Sequence, residues 1–529
     1  MAFDAIVIGS GFGGAVTACR LAEAGMSVLV LERGRRWDNR NFPRRADDPW
    51  LWSHERPELH NGWLDLRSFP GVSVAQGAGV GGGSLIYANV SCEAPPSAFA
   101  TGWPAAITYE ALKPHYDRVA EWMNIRPLPQ NQWTERTKLV KDAATAAGFA
   151  DRFRQLDLAV NFDANWTYDK DFAKGTAGSV MSTNIHGAQQ GTCVHLGNCD
   201  IGCDVHAKNT LDRNYLYVAE NKHHADVRAL HLVDTIEPLS DGRYQVHFAE
   251  LKNGERMAGA EIAGTVVLAA GSLSSTELLL RNRNIHGTLP NVSAALGRGW
   301  SSNGDFLTPT VYLARDVQAS NGPTITAAID FEDGSEGGQR FWIQDGGVPN
   351  LAFAYALHKA ADPSTSFKGK LLLSELQALL RLADPSRALM PWFAQGIDAG
   401  NGTLKLTTGT AFSAGGELHL DWDPKASTAV IESIIAMHRR LSDLTGGRVL
   451  VPPTWTLFRE LVTPHPLGGC GMADTIETGV VDHRGRVFGH AGLWVADGAI
   501  VPRPLGVNPS RTIAALAEHI AANIVEGAR

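Results

Sequence analysis

The first thirty-four residues constrain this chain most. FDAIVIG is an apolar run of strand length, GSGFGG forces a turn, and AVTACRLAEAG has helical spacing with small residues toward the turn. MSVLVLERG is a second apolar strand, which stops at Glu32. Together they predict a βαβ unit. Gly9, Gly11 and Gly14 stand as GxGxxG between strand and helix, with Phe12 and Gly13 inside the turn. The first glycine allows the tight turn, the second lets backbone meet a pyrophosphate, and the third lets helix pack on strand. The helix N-terminus faces the phosphates, and the acid at the end of the next strand takes ribose hydroxyls. That fingerprint implies a dinucleotide and does not choose between NAD and FAD. Glu32 followed by Arg33 and Gly34, a second strand-to-glycine turn in VVLAAGSLSS (266–275, with Ala270 and Gly271), and a third such element in VADGAI (495–500) favour FAD.

A chain of 529 residues exceeds one ordinary core, so two or more domains are expected. The dinucleotide-like pieces fall at both ends and in the middle. The expectation is therefore α/β (α+β overall): a Rossmann-like FAD-binding domain built from discontinuous segments 1–100, 190–300 and 462–529. Residues 101–189 and 301–461 would form a substrate domain with a mainly antiparallel sheet and covering helices. Helical spacing returns at 108–123, 135–148, 371–384 and 428–445, whereas 35–75 reads as irregular. A net charge of -8 offers no basic field for nucleic acid. No run of about 18 apolar residues suggests a transmembrane helix. The chain begins directly on a strand, with no leader pattern, so a cytoplasmic protein is expected.

Six pieces, taken together, resemble the glucose–methanol–choline (GMC) oxidoreductase family, and within it most nearly the cholesterol oxidase branch. They are VIGSGFGGAVTACRLAEAG, GVGGGSLIYANV, AKNTLDRNYL, VVLAAGSLSST, HPLGGCGM and LWVADGAIVPRPLGVNPSRTIAALAE, in the family's order along the chain. Residues 300–460 match only loosely, and there substrate identity would be written. The resemblance implies FAD-dependent oxidation of an alcohol, its proton going to a base and its hydride to flavin N5. It makes His465 the active-site histidine and Asn508, in GVNP, its partner. The loop at 77–90, with Gly77, Gly82, Gly83, Ser84, Tyr87 and Asn89, would pack on the isoalloxazine. Asp497, Gly498, Asn508, Pro509 and Thr512 would lie near the flavin's pyrimidine side, and Val227 on the strand whose backbone holds adenine.

The chemistry of the pair supports that assignment. An alcohol proton is too weakly acidic to leave unaided, and neutral imidazole, with a reference pKa of roughly 6.5, suits the task near neutral pH. Asn508 offers a donor and an acceptor without charge, and Pro464 and Pro466 restrict the histidine loop. Two departures from the family matter. Some relatives attach FAD through a histidine in the glycine loop, but SLIYANV has none, so a non-covalent FAD is expected. The cholesterol oxidase branch also carries a substrate-domain glutamate that isomerises the steroid double bond. The nearest stretch here is FWIQDGGVP, with Gln344 and Asp345, and it does not carry that role across.

Cys193, His195, Cys199, Cys203 and His206 crowd one segment, yet C-x5-C-x3-C matches no common metal pattern, so no metal is expected and the thiols read as reduced and structural. Residues 371–393 have amphipathic spacing, a packing face or a lid over the entrance for an apolar substrate. The expected activity is oxidation of a bulky apolar secondary alcohol, best a 3β-hydroxysteroid, with molecular oxygen or another electron acceptor. The alternatives are an aromatic or terpenoid alcohol, or a lyase on the same fold.

Overall fold

The computed structural model describes residues 2–360, 370, 374, 385–407 and 416–528. Among these the strands form two large sheets and several small ones. In the first, five strands run parallel in the order Asp226–Arg228, Val28–Leu31, Phe3–Ile8, Glu255–Leu268 and Leu493–Val495. The first half of Glu255–Leu268 instead pairs antiparallel with Tyr244–Lys252, which pairs with His231–Pro238. The VLVL and AIVI runs are buried along their whole length, with helix Phe12–Glu23 packed against both strands. Helix Phe12–Glu23 packs there beside the C-terminal helix Ser510–Ala528. Arg20 donates to both oxygens of the buried Glu518, at 2.8–3.0 Å, which locks the two chain ends together.

The second sheet is antiparallel throughout, in the order Arg448–Val449, Phe306–Val311, Leu389–Gly396, Gln339–Gln344, Ala327–Glu336 and Phe153–Gln155. Helix Thr428–Leu444 lies on one face, placing Ile431, Ile434, Ile435 and Leu441 in the core. A third, small sheet pairs Leu461–Thr463 with Val72–Gly77 and that strand with Leu64–Phe69.

Two sequence readings need correction. The stretch 35–75 contains the hairpin Leu64–Phe69/Val72–Gly77. Its alternation is inverted, because Asp65 is the buried residue and Leu66 is 46% exposed. Residues 389–393 belong to a strand buried at all eight positions, and periodicity cannot tell such an apolar run from a helix. The rest of 371–393, read as a packing face or a lid, lies outside the described residues apart from Ser374 and residues 385–388. Among the described residues no helix is long and apolar enough to cross a membrane.

Candidate active site

The parallel strands end in register. Ile8 lies opposite Leu31 and Leu268, Leu31 opposite Arg228, and Leu268 opposite Val495. The fingerprint turn, Glu32, residues 269–271 and Asp497 therefore share one rim, the edge where such sheets bind ligands. Gly9 has φ 96°, and a Cβ on Gly13 or Gly14 would lie 1.7 Å from the Ala496 oxygen or 2.0 Å from the Gly9 oxygen. Those glycines are demanded by chain packing. Gly11 is not, since its Cβ would come no nearer than 3.9 Å to another atom, at the Gly82 Cα. Its bare backbone stands at the start of a helix that lacks a side-chain cap, so N–H groups are left for an anion. Glu32 is buried and accepts from Ser10 N and Oγ at 3.1 and 2.7 Å through one oxygen, and from Gly34 N at 2.9 Å through the other. The second oxygen keeps a lone pair for a hydroxyl.

The glycine loop lies across this turn. Gly77 backs onto the Gly82 oxygen, Gly82 faces Gly11, and Gly83 opens toward the Phe12 ring, which meets Tyr87 edge-on at 5.4 Å. Several expected contacts are already taken by protein partners. Ser84 donates to Gly81 O at 2.7 Å, Tyr87 to Asn209 O at 2.8 Å and Arg33 to Asp65 at 2.7 Å. Thr512 shares a 2.8 Å bond with Tyr116, and Pro509 caps the same helix by accepting from Ile513 N. Asn89 differs: its side chain is fully buried at φ 68°, and neither amide atom has a partner among the described residues. An orphaned buried amide fits a large polar group such as FAD. Asp497 joins the second and third turns, accepting from Gly271 N at 2.8 Å, Ser275 Oγ at 2.5 Å and Ala499 N at 2.8 Å, while burial raises its carboxyl pKa. The Val227 carbonyl accepts from Arg36, and beside it opens a cleft of about 280 Å³ lined by Arg36, Trp37, Val80, Tyr217 and Glu220.

The histidine loop is laid against main chain. Gly468, Cys470 and Met472 donate to the carbonyls of Gly498, Ala499 and Ile500 at 2.8–2.9 Å, and a Cβ on Gly468 would sit 2.1 Å from the Gly299 oxygen. Gly468 and Gly469 are thus demanded by packing, whereas a Cβ on Gly471 would come no nearer than 3.7 Å, at Pro502. His465 itself points into a partly open site, its side chain 15% exposed. Its Nδ1 lies 2.9 and 3.0 Å from the two oxygens of Asp305, which is fully buried. Thr463 Oγ1 donates to Asp305 at 2.6 Å and accepts from His465 N at 2.9 Å. Burial raises the Asp305 carboxyl pKa, while His465 and Thr463 oppose the rise. A carboxylate at Nδ1 makes that nitrogen the donor and leaves the lone pair on Nε2.

Asn508 is buried, and its Oδ1 accepts from Gln344 Nε2 at 2.8 Å. Asn303 Nδ2 donates to Val507 O at 2.9 Å, and Asn303 Oδ1 accepts from Leu505 N and Gly506 N at 2.9 and 3.0 Å. One segment, 301–305, therefore holds both loops, through Asp305 for His465 and Asn303 for the GVNP turn. Asp398 anchors that segment at Ser301 Oγ, Ser302 N and Ser302 Oγ, at 2.7–2.9 Å. Sequence reasoning passed over Asp305, Asn303 and Asp398. The only signal was WSSNGD, a polar run ahead of an apolar strand, which reads as an exposed turn yet is buried. Asp345, named beside Gln344, is spent on Thr326 N, Thr326 Oγ1 and Ala327 N at 2.7–2.9 Å. His195 is likewise spent, bonded to Tyr168 and Gln132 at 2.9 and 3.0 Å and stacked on Trp166, with burial lowering its pKa to about 3. His206 bonds Arg213 at 3.2 Å, and the three nearby cysteines are free thiols.

Family-wide sequence profiles described as "GMC oxidoreductase" match residues 3–284 and 417–517. The chain is 31% identical to a cholesterol oxidase of Acinetobacter baumannii, covering 98% of this chain and 93% of that one. It is 30% identical to a cholesterol oxidase of Mycobacterium tuberculosis, covering 98% and 90%. Its fold superposes on pyridoxine 4-oxidase from Mesorbium loti with a TM-score of 0.63 over 98% of both chains, at 15% identity.

Proposed function

Because this chain belongs to the GMC oxidoreductase family, whose members use FAD to oxidise alcohols, we propose that its substrate is a bulky apolar secondary alcohol, a 3β-hydroxysteroid being the best reading. The observation that carries the mechanism is the pair of partners behind the two reacting side chains: Asp305 on His465 Nδ1 and Gln344 on Asn508 Oδ1. With Nδ1 donating to Asp305, His465 Nε2 is the base that takes the hydroxyl proton. The charge that appears on the imidazole then lies against a carboxylate. Asn508, with Oδ1 engaged, turns Nδ2 to the substrate oxygen and stabilises the charge left there. Bound FAD supplies the acceptor for the hydride that leaves carbon as the ketone forms. The fingerprint turn, Glu32, Asn89 and the glycine loop would hold it, and the lack of a histidine at 84–90 supports a non-covalent FAD.

Similarity to two cholesterol oxidases across nearly the whole chain supports the steroid reading. Apolar side chains on the sheet face beside the pair support a greasy substrate: Phe393 lies 6.1 Å from the His465 ring, ring centre to ring centre, and Trp342 shares that face. An aromatic or terpenoid alcohol is the second reading, and a lyase the third. The test is anaerobic addition of a 3β-hydroxysteroid to the purified yellow protein. Bleaching of the oxidised-flavin band supports the steroid, and return of colour in air identifies oxygen as the acceptor. Bleaching only by aromatic or terpenoid alcohols selects the second reading, and turnover without bleaching selects the lyase. Acid denaturation should release all of the flavin into solution.

A further inference from the structure

We propose that Gln344 is a positioning residue that fixes which end of the Asn508 amide meets the substrate oxygen. The inference rests on the reading of His465 and Asn508 given above. An asparagine amide is nearly two-fold in shape but not in chemistry: turned one way it donates, turned the other it only accepts. An oxygen losing its proton to His465 needs a donor. A carbonyl in the same place would repel it.

Gln344 makes that choice. It is fully buried at the end of strand Gln339–Gln344, with Ala328 and Phe393 opposite it on the two neighbouring strands. Its Nε2 donates to Asn508 Oδ1 at 2.8 Å, and its Oε1 has no partner among the described residues. The 303–508 region is otherwise held through backbone: Asn303 takes Val507 O, Leu505 N and Gly506 N, and Cys92 Sγ lies 3.6 Å from the Asn508 carbonyl. Those bonds place the turn but leave the Asn508 side-chain amide free to rotate. Among the described residues, the bond to that amide comes from Gln344 Nε2, which engages Oδ1 and leaves Nδ2 for the substrate.

The carboxylate variant Gln344→Glu separates orientation from packing. An ionised carboxyl can only accept, so it draws Asn508 Nδ2 toward itself and turns Oδ1 to the substrate. A protonated carboxyl donates as glutamine does and restores the working orientation. The variant should therefore gain on the wild type as pH falls, opposite in sign to the loss expected of a histidine base. The titratable groups around this point are Asp345 with Arg136 3.6 Å away, Glu332 on the neighbouring strand, Cys92 behind Asn508, and the His465–Asp305 pair. All are shared by wild type and variant, so their ratio isolates residue 344.

The experiment is the anaerobic rate of flavin reduction by saturating substrate, measured on FAD-loaded wild type, Gln344→Glu and Gln344→Leu between about pH 5 and about pH 9. At the alkaline end Gln344→Glu should be slower by about 10²-fold, the cost of one lost transition-state donor. That gap should close by about tenfold or more at the acid end, while the gap for Gln344→Leu stays flat. A gap for Gln344→Glu that is flat, absent or widening toward acid overturns the proposal. A second measurement does not depend on the glutamate folding. In an Asn508→Ala background, Gln344→Leu should cost nothing further, and a full additive loss there overturns the proposal too. A wild type that no alcohol reduces instead removes the underlying reading, a result distinct from a reactive wild type with a flat gap.

Discussion

The carboxylate bonded to His465 lies 160 positions earlier in the chain. Asp305 is buried, bonded through both oxygens and steadied by Thr463, so it can hold the imidazole's tautomer and balance its charge. Asp305→Asn should lower kcat by about 10²-fold with little change in KM, because the loss falls on proton transfer rather than binding. His465→Ala should cost about 10²–10⁴-fold while FAD content, read from the visible band, stays full. Two glycines make a matched contrast. Gly11→Ala meets nothing nearer than 3.9 Å, so the protein should fold but retain FAD poorly. Gly468→Ala would thrust a methyl within 2.1 Å of the Gly299 oxygen at φ 81°, so its soluble yield should collapse whether or not FAD is supplied.

Among the elements, the hairpin Leu64–Phe69/Val72–Gly77 depends on charge as much as on apolar contact. Asp65 is buried, and burial alone would raise its carboxyl pKa. Arg33, His54 and Arg67 overcome that and leave it below the ordinary range. Arg67 also reaches Glu277 at 2.6 Å on helix Ser272–Asn284, tying the hairpin to that helix. Burial opposes ionisation of Glu277 as well, but Arg67 and Arg281 lower its pKa from 4.5 to about 2. A depressed carboxyl stabilises the fold above its unfolded pKa, and that contribution, about 3 kcal/mol, is lost as pH falls through the folded value. Glu277→Gln should therefore melt lower than wild type at neutral pH, and the difference should vanish as pH drops from about 4.5 to about 2. A difference that persists in acid would show that packing, not charge, joins the two elements.

Over the whole molecule, the dinucleotide-type sheet cannot form from the N-terminal half alone. Its fifth parallel strand is Leu493–Val495, and helix Ser510–Ala528 buries Glu518 against Arg20 of the fingerprint helix. Deleting residues 510–528 should abolish FAD retention although GxGxxG is intact, measured as loss of the yellow colour and of the melting transition. FAD binds only the folded form, so stripping it should lower the melting midpoint, and adding it back in excess should restore it.

The sequence by itself determined the βαβ start, the rim of glycine turns, the His465 and Asn508 loops and the family. Each of these is written in contiguous residues whose spacing follows from strand and helix geometry. The antiparallel second sheet was expected through the family resemblance and not through local alternation, since its central strand Leu389–Gly396 is buried on both faces. Only the tertiary structure decided what those loops touch. Asp305, Asn303 and Gln344 come to the site through strand pairing and a buried polar turn, and no local pattern marks a buried aspartate from an exposed one. The inverted strand at Asp65 and the strand at 389–396 were illegible for the same reason: burial is a property of the neighbours, and those are set by contacts far apart in the chain.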